Sequence, residues 1–216
     1  ALNGRKGAAL TPRTSANWVY PHPNTFDALF LIGNQQTLST FEAVDPAKVS
    51  FIKNTGYTFP PDLNFSKKSP RNFFYFASWP QTLKGLDLLL EVFAAKPTVN
   101  LFICSLFEQE PEFCRVYREE LIHHPNIKAV GYVDPYGPLF RAITRVCAYL
   151  ILPSCSEGIS GSVLGGMSAG LIPLVSRFCG LNDDQAQILP DCSIAGLTAA
   201  VSHYAAKSPD WVRRQS

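Results

Sequence analysis

The chain has 216 residues, 46% of them hydrophobic and 17% charged, and a net charge of +2. This fits one large globular domain, or one domain plus part of another, with a sizeable core. No long basic run favours nucleic acid or an anionic membrane surface, and no apolar run reaches the roughly 18 residues that a spanning helix needs.

Residues 1–24 show no clear period and carry Pro12, Pro21 and Pro23. Residues 27–33 read as a buried strand, 34–41 as a short helix capped by Asn34, and 48–53 as a second strand. Asn54, Thr55 and Gly56 read as a turn. Residues 59–70, rich in proline, serine and lysine, read as a linker. A regular alternation follows. Strands are expected at 72–77, 99–104, 127–133, 148–152 and 171–175. Helices are expected at 84–95, 111–122, 138–147, from Gly161 to about Gly170, and at 193–206. In the first helix Leu86, Leu89, Leu90 and Phe93 should point inward; in the third, Leu139, Ile143 and Val146. A further element is expected to begin in 210–216. Short strands alternating with helices predict an α/β fold with a doubly wound, Rossmann-like parallel sheet, whose ligands bind at the carboxyl ends of the strands.

The chain begins with Ala1 and shows no signal peptide, and it is expected to have been cut from something longer. The six cysteines, Cys104, Cys114, Cys147, Cys155, Cys179 and Cys192, form no C-x-x-C pair. They read as reduced, mostly buried thiols of a cytoplasmic protein, and zinc lacks ligand spacing.

The chemistry concentrates at predicted strand ends. The strand at 148–152 runs into a serine- and glycine-rich turn with one carboxylate, Glu157, and then into a helix start near Gly161. This is either an anion site built from free backbone N–H groups or a plain crossover packed with small residues. Lys84, at a helix start, opposes the helix dipole; it is sensible if an anion lies between them, or it is simply solvated. Glu157 is either a ligand contact or a carboxylate capping the next helix. Tyr132 and Val133 either wall a slot for a flat ring or belong to the core. Asp183 and Asp184 read as solvated rather than metal-binding, and His123 and His124 as helix-end caps. Ser160, Gly161 and Ser162 lack the G-x-S-x-G order of a nucleophile elbow.

Taken together, these residues resemble the retaining glycosyltransferases of the GT-B fold, in the group 1 family. The resemblance is carried by residues 73–77 with Leu83, Lys84 and Gly85, by Gly131 to Val133, by Pro153 to Gly158 leading to Met167 and Gly170, and by Asn54 to Tyr57. It covers roughly residue 27 to the end. It implies a remnant of an N-terminal acceptor-side domain at 1–60, a linker at 61–70 and a donor domain at 71–216, truncated at its C-terminus. It also implies transfer of a sugar from a nucleotide-diphosphate sugar to an unknown glycan, lipid or small-molecule acceptor. Configuration would be retained, with no metal or other cofactor, no nucleic-acid partner and at most peripheral membrane contact. Lys84 would bind the diphosphate and Glu157 the sugar hydroxyls. Gly158, Ile159, Ser160, Gly161 and Ser162 would meet sugar and phosphate, Tyr132 and Val133 the base, and Ser78 the donor.

Two positions depart from the family pattern. Gly165 stands where a ribose-binding glutamate is usual, and Ala77 and Ser78 stand where glycine and a phosphate-binding arginine are usual. Ser78, Trp79 or Gln81 is then expected to help hold the donor. The alternative is a non-catalytic nucleotide-sugar-binding or interaction module. This chain alone is expected to bind a nucleotide sugar weakly and to turn over little.

Overall fold

The computed structural model describes residues 26–41, 44–59 and 67–216. Near the start, β1 (Leu29–Ile32) pairs in parallel with β2 (Val49–Ile52), and α1 (Gln35–Leu38) lies between them in sequence. As expected, Asn34 caps α1: its side chain accepts from the Thr37 N–H at 3.2 Å, and the Thr37 hydroxyl accepts from the Asn34 N–H at 3.2 Å. The expected burial of the first strand is not found. Only Leu31 is buried, and Phe30 is 67% exposed, because among the described residues β2 alone pairs with β1. Residues 53–59 carry no regular element, and no turn forms at Gly56. Residues 60–66, the middle of the expected linker, lie outside the described residues.

The main body is one parallel sheet with helices between its strands. In chain order these are β3 (Ser69–Ala77), α2 (Leu86–Ala94), β4 (Asn100–Ser105), α3 (Pro111–Val116), β5 (Ile127–Gly131), α4 (Pro138–Val146), β6 (Cys147–Leu152), α5 (Gly161–Ser168), β7 (Ile172–Ser176), β8 (Gln187–Leu189), α6 (Ile194–Ala205) and α7 (Pro209–Gln215). The spatial order is β5-β4-β3-β6-β7-β8. Right-handed crossovers therefore place α2 and α3 on one face and α4 and α5 on the other. The side chains of β3 agree. Phe73 meets Phe93 of α2 at 5.3 Å between ring centroids, while Phe74 meets Phe140 of α4 at 5.6 Å. The order in which the chain lays down strands reverses between the parallel neighbours β3 and β6, so the connections leaving their carboxyl ends pass to opposite faces of the sheet and leave a crevice.

Several expectations needed correction. The helix after β3 begins at Leu86, so Lys84 sits in the preceding turn rather than on the helix. That helix is buried on nearly all sides, not on one stripe, with α6 and the π-turn at 119–123 packed against it as well as the sheet. The expected helix at 111–122 breaks at Tyr117 and continues as a π-turn, Glu119–His123. In α4, Leu139 faces solvent and Phe140 takes the inward place, against the sheet residues Phe74 and Phe76. β8, only three residues long, was not foreseen.

One buried carboxylate carries a consequence for stability. Asp87, on the first turn of α2, is 2% exposed, and its Oδ1 has no hydrogen-bond partner among the described residues. Burial pushes its pKa up to about 6, against the pull of backbone N–H groups in the same turn. The folded state thus holds this proton more tightly than the unfolded chain, whose value is 3.8. Its contribution to stability grows as pH falls from about 6 towards 3.8 and is absent above. Asp87→Asn is expected to stabilise the protein at pH 8 by up to about 3 kcal/mol. The gain should vanish near pH 4; urea denaturation at both pH values checks it.

Candidate functional site

A cleft of about 640 Å³ opens at the carboxyl ends of β3, β4, β5 and β6, at the switch point. Two turns build its floor. The turn after β3 carries Lys84, and the turn after β6 carries Glu157. Backbone contacts tie them together: Leu83 C=O accepts from the Cys155 N–H at 3.0 Å and from the Ser154 hydroxyl at 3.2 Å. Gly85 allows this approach. It adopts a left-handed φ of 76°, and a Cβ there would lie 2.6 Å from the Pro153 carbonyl oxygen.

The β6 turn is held from its other side as well. The Glu157 N–H donates to Phe178 C=O at 3.0 Å, and the Ser176 hydroxyl donates to Ser154 C=O. Gly180, with a φ of 69°, lies so close that a Cβ would sit 1.8 Å from the Gly158 carbonyl oxygen. Between these clamps the Lys84 Nζ donates to Glu157 Oε1 in a salt bridge whose side chains are 14% and 10% exposed. No other charged side chain among the described residues lines the cleft.

The structure brings together Lys84, Glu157, Ser78, Tyr132, Val133, Ser160, Gly161 and Ser162 as lining residues. Ser160 stands at the N-cap position of the eight-residue α5 without a capping bond from its side chain, so the N–H groups of the first turn are left free at the edge of the cleft, which Gly161 and Ser162 line. The Ser160 and Ser162 hydroxyls lie 2.9 Å apart. Gly158 and Ile159 do not line the cleft. They pack against the N-terminal segment, where Ile159 C=O accepts from Asn54 Nδ2 at 2.6 Å and Ile32 C=O fills the space beside Gly158. Gln81 is fully buried and structural. Its N–H donates to Glu110 Oε1 at 2.8 Å, its Nε2 to Ser78 C=O at 3.1 Å, and its Oε1 accepts from the Ser105 hydroxyl at 3.1 Å. Trp79 is exposed and outside the cleft lining. No cluster of three metal-ligating side chains gathers among the described residues.

The comparisons fit this geometry. No protein-family model matches the sequence, and no curated protein matches it. Solved structures do. The chain is similar to WaaG, a glycosyltransferase involved in lipopolysaccharide biosynthesis, with 15% identity and a TM-score of 0.61 over 86% of this chain and 56% of that one. It is similar to Anabaena Alr3699/HepE in complex with UDP and glucose, with 12% identity and a TM-score of 0.61 over 88% and 59%. It is also similar to the C-terminal domain of LpcC, a glycosyl transferase group 1 family protein from Francisella tularensis, with 10% identity and a TM-score of 0.52 over 74% and 88%. The fold is that of the GT-B glycosyltransferases. The chain spans little more than half the length of WaaG and HepE.

Within the GT-B fold, one wall of the cleft comes from a stretch that was not singled out for the site. Thr55, Gly56 and Tyr57 run along α5 and line the opening. The Tyr57 ring occupies the space beside Gly165, where a Cβ would lie 2.8 Å from Tyr57 Cδ2. A side chain at 165 and this ring position exclude each other. Tyr57 meets Tyr136 edge-to-face at 5.5 Å and lies 6.3 Å from Phe76, so the wall is aromatic. Ser105 and Leu106 at the end of β4, with Pro135 and Tyr136 after β5, complete the lining. The only advance signal for these residues was their place at strand ends.

Proposed function

We propose that this chain supplies the donor side of a glycosyltransferase that moves a sugar from a nucleotide-diphosphate sugar to an acceptor, with retention and without an obligatory metal. The observation that carries the proposal is the pairing of one cation, Lys84, with the open N-terminus of α5 in a single cleft at the switch point. When the bond from sugar to diphosphate breaks, negative charge grows on the leaving phosphate. An ammonium group and N–H dipoles, carried on clamped turns, stabilise that charge. Glu157 accepts hydrogen bonds from the sugar hydroxyls. Tyr132 and Val133 border the base, and Tyr57 and Tyr136 offer ring faces towards the nucleoside. The diphosphate sugar is the only small molecule this chemistry requires besides the acceptor.

The free thiols support a cytoplasmic setting. Among the described residues, no helix is long and apolar enough to cross a membrane, and we propose peripheral contact at most. A second reading, a binding module without turnover, is favoured by Ser78 and Gly165, which offer neither an arginine for phosphate nor a carboxylate for ribose.

Calorimetric titration with UDP-, GDP- and ADP-sugars tests the proposal, followed by transfer assays on the longer protein. Binding of at least one donor is expected. No binding by any of them would overturn both readings, and binding without transfer to any acceptor would leave the module.

A further inference from the structure

The Lys84–Glu157 salt bridge points beyond donor binding. It joins the only cation and the only anion among the described cleft-lining residues, so their side-chain charges sum to zero before any ligand arrives. Lys84 Nζ donates to Glu157 and to no other described residue, and the remaining N–H groups of its ammonium are available to a ligand. Both side chains are largely shielded from water, so neither charge is cheaply left alone. The backbone at each end is fixed: the Lys84 N–H donates to Pro80 C=O at 3.1 Å, and the Glu157 N–H to Phe178 C=O at 3.0 Å.

We infer that Glu157 is a built-in competitor for the anion that Lys84 binds, and that it discriminates intact sugar diphosphates from free diphosphates. This rests on reading the cleft as a diphosphate site. A diphosphate that takes Lys84 for itself must draw it away from the carboxylate. Glu157 is then left without its cation, in a poorly hydrated place and close to new negative charge. A sugar attached to the diphosphate offers hydroxyl donors to that carboxylate and makes good the loss. A free diphosphate offers none. The same residue therefore favours entry of the intact donor and expulsion of the diphosphate left after transfer. Discrimination arises because the wrong ligand leaves a buried group unpaired.

The test titrates the full 216-residue chain with inorganic pyrophosphate, which carries neither sugar nor base. Wild type, Glu157→Gln, Glu157→Asp and Lys84→Met are compared by calorimetry, with near-ultraviolet circular dichroism to check folding. Glu157→Gln frees Lys84 while keeping the side-chain shape, and it is expected to bind pyrophosphate about tenfold more tightly than wild type. Glu157→Asp, shorter by one methylene, should fall between the two, and Lys84→Met should not bind. If neither Glu157 variant binds more tightly than wild type while Lys84→Met loses binding, the inference is overturned. If Glu157→Gln does not fold, Glu157→Asp decides alone by the same comparison. If wild type and Lys84→Met bind equally, or none of the four binds, the diphosphate reading itself fails, and this inference with it.

Discussion

Lys84→Ala is expected to weaken binding of a nucleotide-diphosphate sugar by roughly 2–4 kcal/mol, about 30- to 1000-fold, and to remove most turnover in the longer protein. Two effects add. The substitution deletes the only cation among the described residues lining the cleft, and it leaves the Glu157 carboxylate, 10% exposed, facing the incoming phosphates alone. The N–H groups at the start of α5 remain, so residual affinity should persist. Lys84→Arg should recover charge but not geometry, because a guanidinium is planar and wider than an ammonium. Titration with the best-binding donor, and single-turnover transfer in the longer protein, measure the loss. Unchanged affinity in Lys84→Ala would refute the role assigned to this residue.

Gly180→Ala is expected to be the most damaging small substitution, costing roughly 3–5 kcal/mol of stability. The residue has a φ of 69°, which disfavours any Cβ, and that Cβ would meet the Gly158 carbonyl oxygen at 1.8 Å. Both partners are backbone, so no side-chain rotation relieves the overlap. The turn carrying Glu157 must move instead, and donor binding should fall with stability. Gly161→Ala is the control. A Cβ there meets nothing closer than the Thr55 carbonyl oxygen at 3.6 Å, and its stability should stay within about 0.5 kcal/mol of wild type. Urea denaturation of both variants separates the strained glycine from the tolerant one.

Legibility from sequence followed the range of the physics involved. β6 and β7 were visible because strands buried on both faces are continuous apolar runs, and each of their residues is indeed buried. Lys84 and Glu157 were found because a parallel sheet directs attention to the residues just after its strands. Their pairing was not visible. They lie 73 positions apart, and only the adjacency of β3 and β6 at the switch point brings their turns together. Nothing in the sequence singled out Asp87 within the amphipathic helix expected at 84–95. It is 2% exposed, and α6, more than a hundred residues later, packs against the helix that carries it. Tyr57 entered only as the last residue of the Asn54–Tyr57 stretch that carries the family resemblance, with no site role, yet it fills the space beside Gly165, 108 positions later.

The sequence by itself determined the alternation of strands and helices, the parallel sheet that follows from it, and the two charged residues at its carboxyl edge. These depend on local periodicity and on the handedness of crossovers, which short stretches of chain carry within themselves. Only the tertiary structure decided that the two charges pair with each other in the cleft, that Gly158 and Ile159 contact the N-terminal segment, and that an aromatic wall stands beside Gly165. Those outcomes depend on which distant backbones approach within one side chain's width of each other. Gly85 and Gly180 permit that approach, and residue order alone does not encode it.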